Sequence, residues 1–320
     1  MESKFIPTEL PTEGTTNAPS AVKEFAVGAA GGITQVLIGQ PFDIVKVRMQ
    51  TQANQNAIQV ARNILRHEGA LAFYKGTLPP LLGVGACISI VYTTFHTISE
   101  TLKSQTNCTT LSTPLTYLVG GLAGLANSLI SGPTEHVRIR LQTLQDFPSR
   151  RDAQIQARNP GVIPCIRTIT AHGGLRGLYR GQVPTMLREF GSYGVWFSVY
   201  ELLLSRVSAP ATRIDTSTTT TTTEAKVKGQ IPTYKIATCG ILTGLVLWTV
   251  NYPFDVVKSK MQADGFGGDQ KYLRMRGVVR DTWRENGLRG FWIGLGPTLA
   301  RAVPVSAGTF VVVEMVRGLI

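Results

Sequence analysis

At 320 residues the chain is long enough for two ordinary soluble domains, and a hydrophobic fraction of 43% with a mean hydropathy of +0.08 would pass for soluble. The net charge of +12 invites a nucleic-acid reading, yet 21 of the 32 Lys and Arg residues fall in three loops, 46–75, 138–180 and 258–289, each between two apolar runs. Bases gathered on one side of repeated spans are a topology signal and suit anionic lipid head groups such as cardiolipin, so nucleic acid is excluded as the partner.

Residues 1–20, rich in Pro, Thr, Glu and Asn, read as disordered, and Glu2, Glu9 and Glu13 argue against a cleavable transit peptide. A first apolar span covers about 21–50, with Pro41 inside it to bend it. Residues 57–66 carry apolar side chains at helical spacing and suit a short helix lying at the interface. A second span covers about 78–102, a third about 114–142 and a fourth about 183–204. Between the third and fourth lie a polar, basic stretch at 145–160 and a second interfacial segment at 161–171. Seven threonines within 216–223 mark a low-complexity linker. The fifth span is about 233–262, a third interfacial helix about 276–284, and the sixth span about 297–318.

These elements repeat. Gln40-Pro41-Phe42-Asp43-Ile44-Val45-Lys46-Val47-Arg48-Met49-Gln50 recurs around Pro133, Glu135, Arg138, Arg140 and Gln142, and again around Pro253, Asp255, Lys258, Lys260 and Gln262. Glycines stand thirteen and nine residues before each proline (Gly28 and Gly32, Gly120 and Gly124, Gly240 and Gly244), a spacing that lets helix backbones touch in a membrane. Downstream, Glu68-Gly69 and Tyr74-Lys75-Gly76 match Gly173-Gly174 with Tyr179-Arg180-Gly181, and Asn286-Gly287 with Trp292-Ile293-Gly294. Pro79, Pro184 and Pro297 then open the even spans. The domain organisation read from this is a disordered start at 1–20, repeats at 21–107, 108–208 and 232–320, and a threonine-rich linker at 209–231.

Three copies of Pro-x-[Asp/Glu]-x-x-[Lys/Arg]-x-[Lys/Arg] resemble the signature of the mitochondrial carrier family, and the likeness runs from about Val22 to Arg317. The resemblance implies an all-α membrane protein. Six transmembrane helices form three tandem pseudo-symmetric repeats around a central cavity, with short interfacial helices on the matrix side. It also implies a multi-pass monomer of the mitochondrial inner membrane that works by alternating access.

In one helix, Asp43 and Lys46 would be an ordinary i,i+3 pair. The family resemblance implies instead a matrix gate of inter-repeat pairs, Asp43–Arg138, Glu135–Lys258 and Asp255–Lys46, braced by Gln50, Gln142 and Gln262. At the outer face the family has an aromatic, an acid and a later base near the end of each even helix. Here the acid positions hold His96, Glu201 and Glu314, followed three residues on by Ser99, Leu204 and Arg317. Only Glu314/Arg317 is complete, with Tyr200-Glu201 a half, which predicts a weak outer gate.

Aligning the even spans on their prolines places Gly83, Arg188 and Arg301 at one level, and Val84, Glu189 and Ala302 one residue on. Charges in mid-span cost about 2.5–3.5 kcal/mol each on insertion scales, so these require a polar cavity or a structural pair such as Arg188–Glu189. Two guanidiniums hold a carboxylate and Glu189 takes an ammonium, which together describe an amino acid. By resemblance, Arg-Glu at this position goes with amino-acid and carnitine carriers, whereas nucleotide carriers have Gly followed by an aliphatic residue. Basic-amino-acid carriers have a further acid one turn deeper in the second helix, where this chain has Cys87. For carnitine, Tyr193 and Trp196 offer aromatic faces. The expected substrate site is thus Arg188, Glu189, Arg301, Gly83, Val84 and Cys87.

The expected function is transport of an amino acid, basic ones included, or a similar zwitterion; a carnitine or acylcarnitine carrier is one alternative and a non-transporting membrane scaffold another. No nucleophile triad or phosphate cradle suggests an enzyme or a cofactor. Cys87, Cys108, Cys165 and Cys239 lie in no ligand spacing, so no metal site is expected. His67, His96, His136 and His172 read as surface or packing residues.

Overall fold

The computed structural model describes residues 18–51, 55–106, 111–143, 161–208, 233–265 and 270–319. The expected disordered start, the basic stretch at 145–160, Cys108 and the threonine-rich linker fall outside the described residues. Among the described residues six long helices dominate: α1 (Ala18–Thr51), α3 (Leu78–Thr106), α4 (Thr113–Thr143), α6 (Gln182–Ser208), α7 (Thr233–Ala263) and α9 (Leu295–Leu319). Three shorter ones, α2 (Ala57–His67), α5 (Val162–Leu178) and α8 (Met275–Asn286), follow the odd members of that set. The described residues are all-helical, in three repeats of long helix, short helix, long helix.

Among the described residues, α3, α4, α7 and α9 lie in segments long and apolar enough to cross a bilayer. The helices α1 and α6 match them in length and complete the six-helix set. Asp43, Lys46 and Arg48 in α1, and Arg188 and Glu189 in α6, lower their apolar character. These charges sit where the function is sought.

The turn into each even helix is set by glycine. Gly69, Gly174 and Gly287 adopt φ of 85°, 58° and 58°, and Gly76, Gly181 and Gly294 adopt 75°, 74° and 90°. A side chain at such φ is strained, so the threefold glycine spacing reproduces one connection three times. Each connection covers a small apolar core between the end of an odd helix and its short helix. Ile44, Val45, Val60 and Ile64 form the first, Val137, Leu141, Cys165 and Ile169 the second, and Val257, Met261 and Val278 with Phe291 the third. The helices α1, α4 and α7 run through Pro41, Pro133 and Pro253 respectively without ending.

The long helices close a ring in the order α1, α3, α4, α6, α7, α9, but its joints are unequal. The α4–α6 joint is the most extensive, whereas α1–α3 and α7–α9 touch little. Here the reading of the glycine stripes needs correction, because only one of the three brings its own repeat's helices backbone to backbone. A Cβ on Gly120 would meet the Tyr193 carbonyl, and one on Gly124 the Glu189 carbonyl. At Gly28 and Gly244 it would meet nothing within 4 Å, and at Gly32 only Val84 at 3.6 Å. Spacing supplies the permission for close packing; the width of the ring decides where it is used.

Candidate functional site

The charged motifs converge at one end of the ring, where α1, α4 and α7 meet. Asp43 on α1 lies 2.6 Å from Arg138 on α4, Lys46 on α1 lies 2.8 Å from Asp255 on α7, and Lys258 on α7 is ion-paired with Glu135 on α4. Every motif carboxylate thus meets a base of another repeat. Asp43, Lys46, Asp255 and Lys258 are all buried, while Arg138 and Glu135 keep part of their surface open to the cavity.

Further donors complete two of the pairs. Arg301 on α9 donates through Nη1 to both oxygens of Asp43, at 2.7 and 2.8 Å. Gln40 accepts from Arg138 at 2.8 Å and donates to the Lys75 carbonyl at 2.7 Å. Arg188 on α6 donates through Nη2 to both oxygens of Glu135, at 2.9 and 3.1 Å, and also reaches Glu189. The third pair is held differently. Gln50 donates to Asp255 at 3.1 Å, and the Lys46 ammonium stands 4.8 Å from the Trp248 ring centre and 5.3 Å from that of Tyr252.

The expectation that three glutamines brace the three pairs is therefore corrected. Only Gln50 does so: the Gln142 side-chain amide makes no hydrogen bond, and that of Gln262 donates to the Arg180 carbonyl at 3.4 Å. The lone pairs of Asp43 and Glu135 that those amides would have taken are filled by arginines from the even helices. Gln40 does bracing work that the repeat did not announce, since Gly132 and Tyr252 stand at its equivalent positions.

Above the pairs lies a cavity of about 1020 Å³. Its wall includes Arg188, Glu189 and Arg301, and also Gly83, Val84 and Cys87 from α3. All six residues expected at a substrate site line this one space. Glu189 is buried, with Asn127 of α4 donating to its Oε2 at 3.0 Å. The contact depends on the Gly124–Glu189 approach one turn earlier on α4, which lets a short side chain cross the gap. Asn127 went unnoticed in the sequence, although a lone Asn in an apolar span was a signal. The arginines there are not waiting unpaired; each is shared between the cavity and the ion pairs beneath it.

The far end of the cavity reaches Gly28 and Glu314, both exposed. Of the residues expected at an outer gate, Glu201 is exposed, and Tyr200 stacks on Trp196 with ring centres 6.0 Å apart. The Arg317 side chain lies outside the described residues.

Beneath the pairs the repeats differ again. Arg48 forms a bidentate pair with Glu68, which also takes Lys75 at 2.7 Å, and its Nε donates to the Gln142 carbonyl at 3.2 Å. Burial works to raise the Glu68 carboxyl, but hydrogen bonds from Arg48 and Lys75 outweigh it and hold the group below its ordinary value. Gly173 replaces that acid in the second repeat, where Arg140 donates to the Ala263 carbonyl at 3.2 Å. Arg180 bridges to Asp264 at 2.5 Å. Lys260 stays within the third repeat, donating to Thr282 at 3.0 Å.

A family model described as mitochondrial carrier protein matches residues 17–106, 109–209 and 229–320. The chain is 39% identical to the glutamate/glycine mitochondrial carrier ymc1 of Schizosaccharomyces pombe, over 92% of this chain and 94% of that one. It is 36% identical to the mitochondrial glycine transporter YMC1 of Saccharomyces cerevisiae, over 93% and 92%. To the mitochondrial basic amino acids transporter of Homo sapiens it is 35% identical, over 92% and 89%.

Proposed function

The chain belongs to the mitochondrial carrier family, and from that premise we propose that it moves an amino acid across the mitochondrial inner membrane by alternating access. The observation that carries this is the sharing of Arg188 and Arg301 between the cavity and the inter-repeat pairs. A substrate carboxylate entering the cavity competes with Glu135 for Arg188 and with Asp43 for Arg301. Its ammonium competes with Arg188 for Glu189. Hydrogen bonds to charged groups contribute about 1.5–3 kcal/mol each, so the exchange costs little overall while it strips a brace from the pairs below.

In this reading the pairs Asp43–Arg138, Glu135–Lys258 and Asp255–Lys46 are a matrix gate, closed here. Losing one donor from a carboxylate that holds two leaves a pair that thermal motion can open. The outer end is read as the weaker closure, with Glu314 and Arg317 its one complete acid–base set and Tyr200-Glu201 a half. One chain encloses the cavity, so no second copy is needed, and the basic loops between spans suit anionic lipid rather than nucleic acid.

Glycine, glutamate/glycine and basic amino acids are the cargoes in the names of the relatives above, which supports an amino acid over carnitine. The charged cavity speaks against an inert scaffold and the absence of a reaction-site pattern in the sequence against an enzyme. Uptake of labelled amino acids and of carnitine into liposomes holding the purified protein tests the reading. Arg188→Ala and Glu189→Gln should each abolish uptake while the protein remains folded; normal uptake by both sinks it.

A further inference from the structure

Five basic side chains line the floor of the cavity, Lys46, Arg138, Arg188, Lys258 and Arg301, against four carboxylates. The fifth carboxylate in the wall, Glu314, stands thirteen residues beyond Arg301 on α9, about 20 Å away along the helix. The floor therefore carries one positive charge in excess. Three of its carboxylates are held by bases of other repeats. Glu189 differs: the partners of its oxygens are Arg188 beside it and the neutral amide of Asn127.

The orientation of that amide follows from chemistry. Turned round, the Asn127 oxygen would face the Glu189 carboxylate, acceptor against acceptor. With the nitrogen toward Glu189, the Oδ1 atom has no hydrogen-bond partner, although Asn127 is only 2% exposed and lines the cavity. That oxygen is itself covered, so what Asn127 gives the cavity is an N–H grip on Glu189 that adds no charge.

We propose that Asn127 sets the charge of the cargo: it holds Glu189 through its N–H and brings no second carboxylate to the substrate ammonium. The proposal rests on the amino-acid transport reading above and adds the substrate class. A neutral amide supplies hydrogen bonding without a second negative charge. Glu189 can then balance one cationic group, and the excess base beneath it favours substrates of net charge zero or −1. A basic amino acid brings a second cation into a floor already short of carboxylates and is rejected. Asp at position 127 would supply the missing anion.

The test uses the full-length protein in liposomes, with glycine, glutamate and lysine as the probes. Wild type should take up glycine or glutamate at least tenfold better than lysine. Asn127→Asp should bring lysine uptake to within a few-fold of glycine uptake and suppress glutamate. Asn127→Ser should raise the KM for glycine about tenfold. Thermal unfolding of detergent-purified wild type, alone and with each probe, gives a second readout that needs no variant to fold. Glycine or glutamate should raise the midpoint and lysine should not. Lysine acting as well as glycine on wild type, or an unchanged lysine-to-glycine ratio in Asn127→Asp, overturns the charge assignment and leaves amino-acid transport standing. A wild type that takes up no amino acid overturns both.

Discussion

The first and second repeats share one motif and are anchored in opposite ways. In the second, α4 and α6 hold each other, because Gly120 and Gly124 let the backbones of Tyr193 and Glu189 approach. In the first, α1 and α3 scarcely touch, and α1 is held from outside by Arg138 and Arg301 on Asp43 and by its packing against α9. Pseudo-symmetry in sequence thus leaves room for a stiff repeat and a tethered one. The stiff repeat carries the Arg188–Glu189 and Arg188–Glu135 contacts within itself, while the tethered one hangs on side chains of the other two repeats.

The largest effect is expected from Asp43→Ala. It leaves Arg138 and Arg301 facing one another without their common carboxylate, and losing one partner of a buried pair costs about 3–5 kcal/mol. The unfolding midpoint of the purified protein should fall accordingly, and further than in Asp255→Ala, where a single base loses its partner. Next in size is Gly124→Val, whose side chain would run into the Glu189 carbonyl; overpacking of this kind costs about 1–3 kcal/mol. Because the same approach carries Asn127 to Glu189, uptake should fall with it.

Glu68 distinguishes the two repeats by pH, since the second has Gly173 at its place. Its carboxyl is held below the ordinary 4.5, so its stabilising effect is fully present above that pH and is lost as pH falls through the lowered value. Comparing wild type with Glu68→Gln over a pH series should show a constant gap near neutrality that closes in acid. The smallest effect is expected at Gly28→Ala. Nothing lies within 4 Å of the added carbon, and a helical glycine costs roughly 0.5–1 kcal/mol relative to alanine, so the midpoint should hold or rise slightly.

Much of the fold was legible because it is written three times. The repeated Pro-x-acid-x-x-base spacing located the odd helices, the paired glycines located the turns into the even ones, and the predicted bounds of the long helices lie within a few residues of those observed. The carboxylate–base pairings across repeats could also be written down before any distance was known. Other contacts were hidden for physical reasons. That Arg188 and Arg301 reach down to Glu135 and Asp43 depends on long side chains and on how far the even helices lean inward, neither of which has a sequence period. Gln142 and Gln262 show the converse, since a shared position led to a shared role that two arginines had already filled. The Asn127–Glu189 bond needed the one glycine stripe that closes, and nothing in the three stripes says which that is.

The Lys46 ammonium, set between Asp255 and the rings of Trp248 and Tyr252, has a consequence of its own. An aromatic face attracts a cation without titrating, so this junction keeps part of its grip when its acid is protonated or removed. Cohesion between the first and third repeats is thereby spread over two kinds of force. Replacing the indole with an aliphatic side chain should weaken it under every buffer condition alike, whereas the other two junctions answer to the ionisation of their acids.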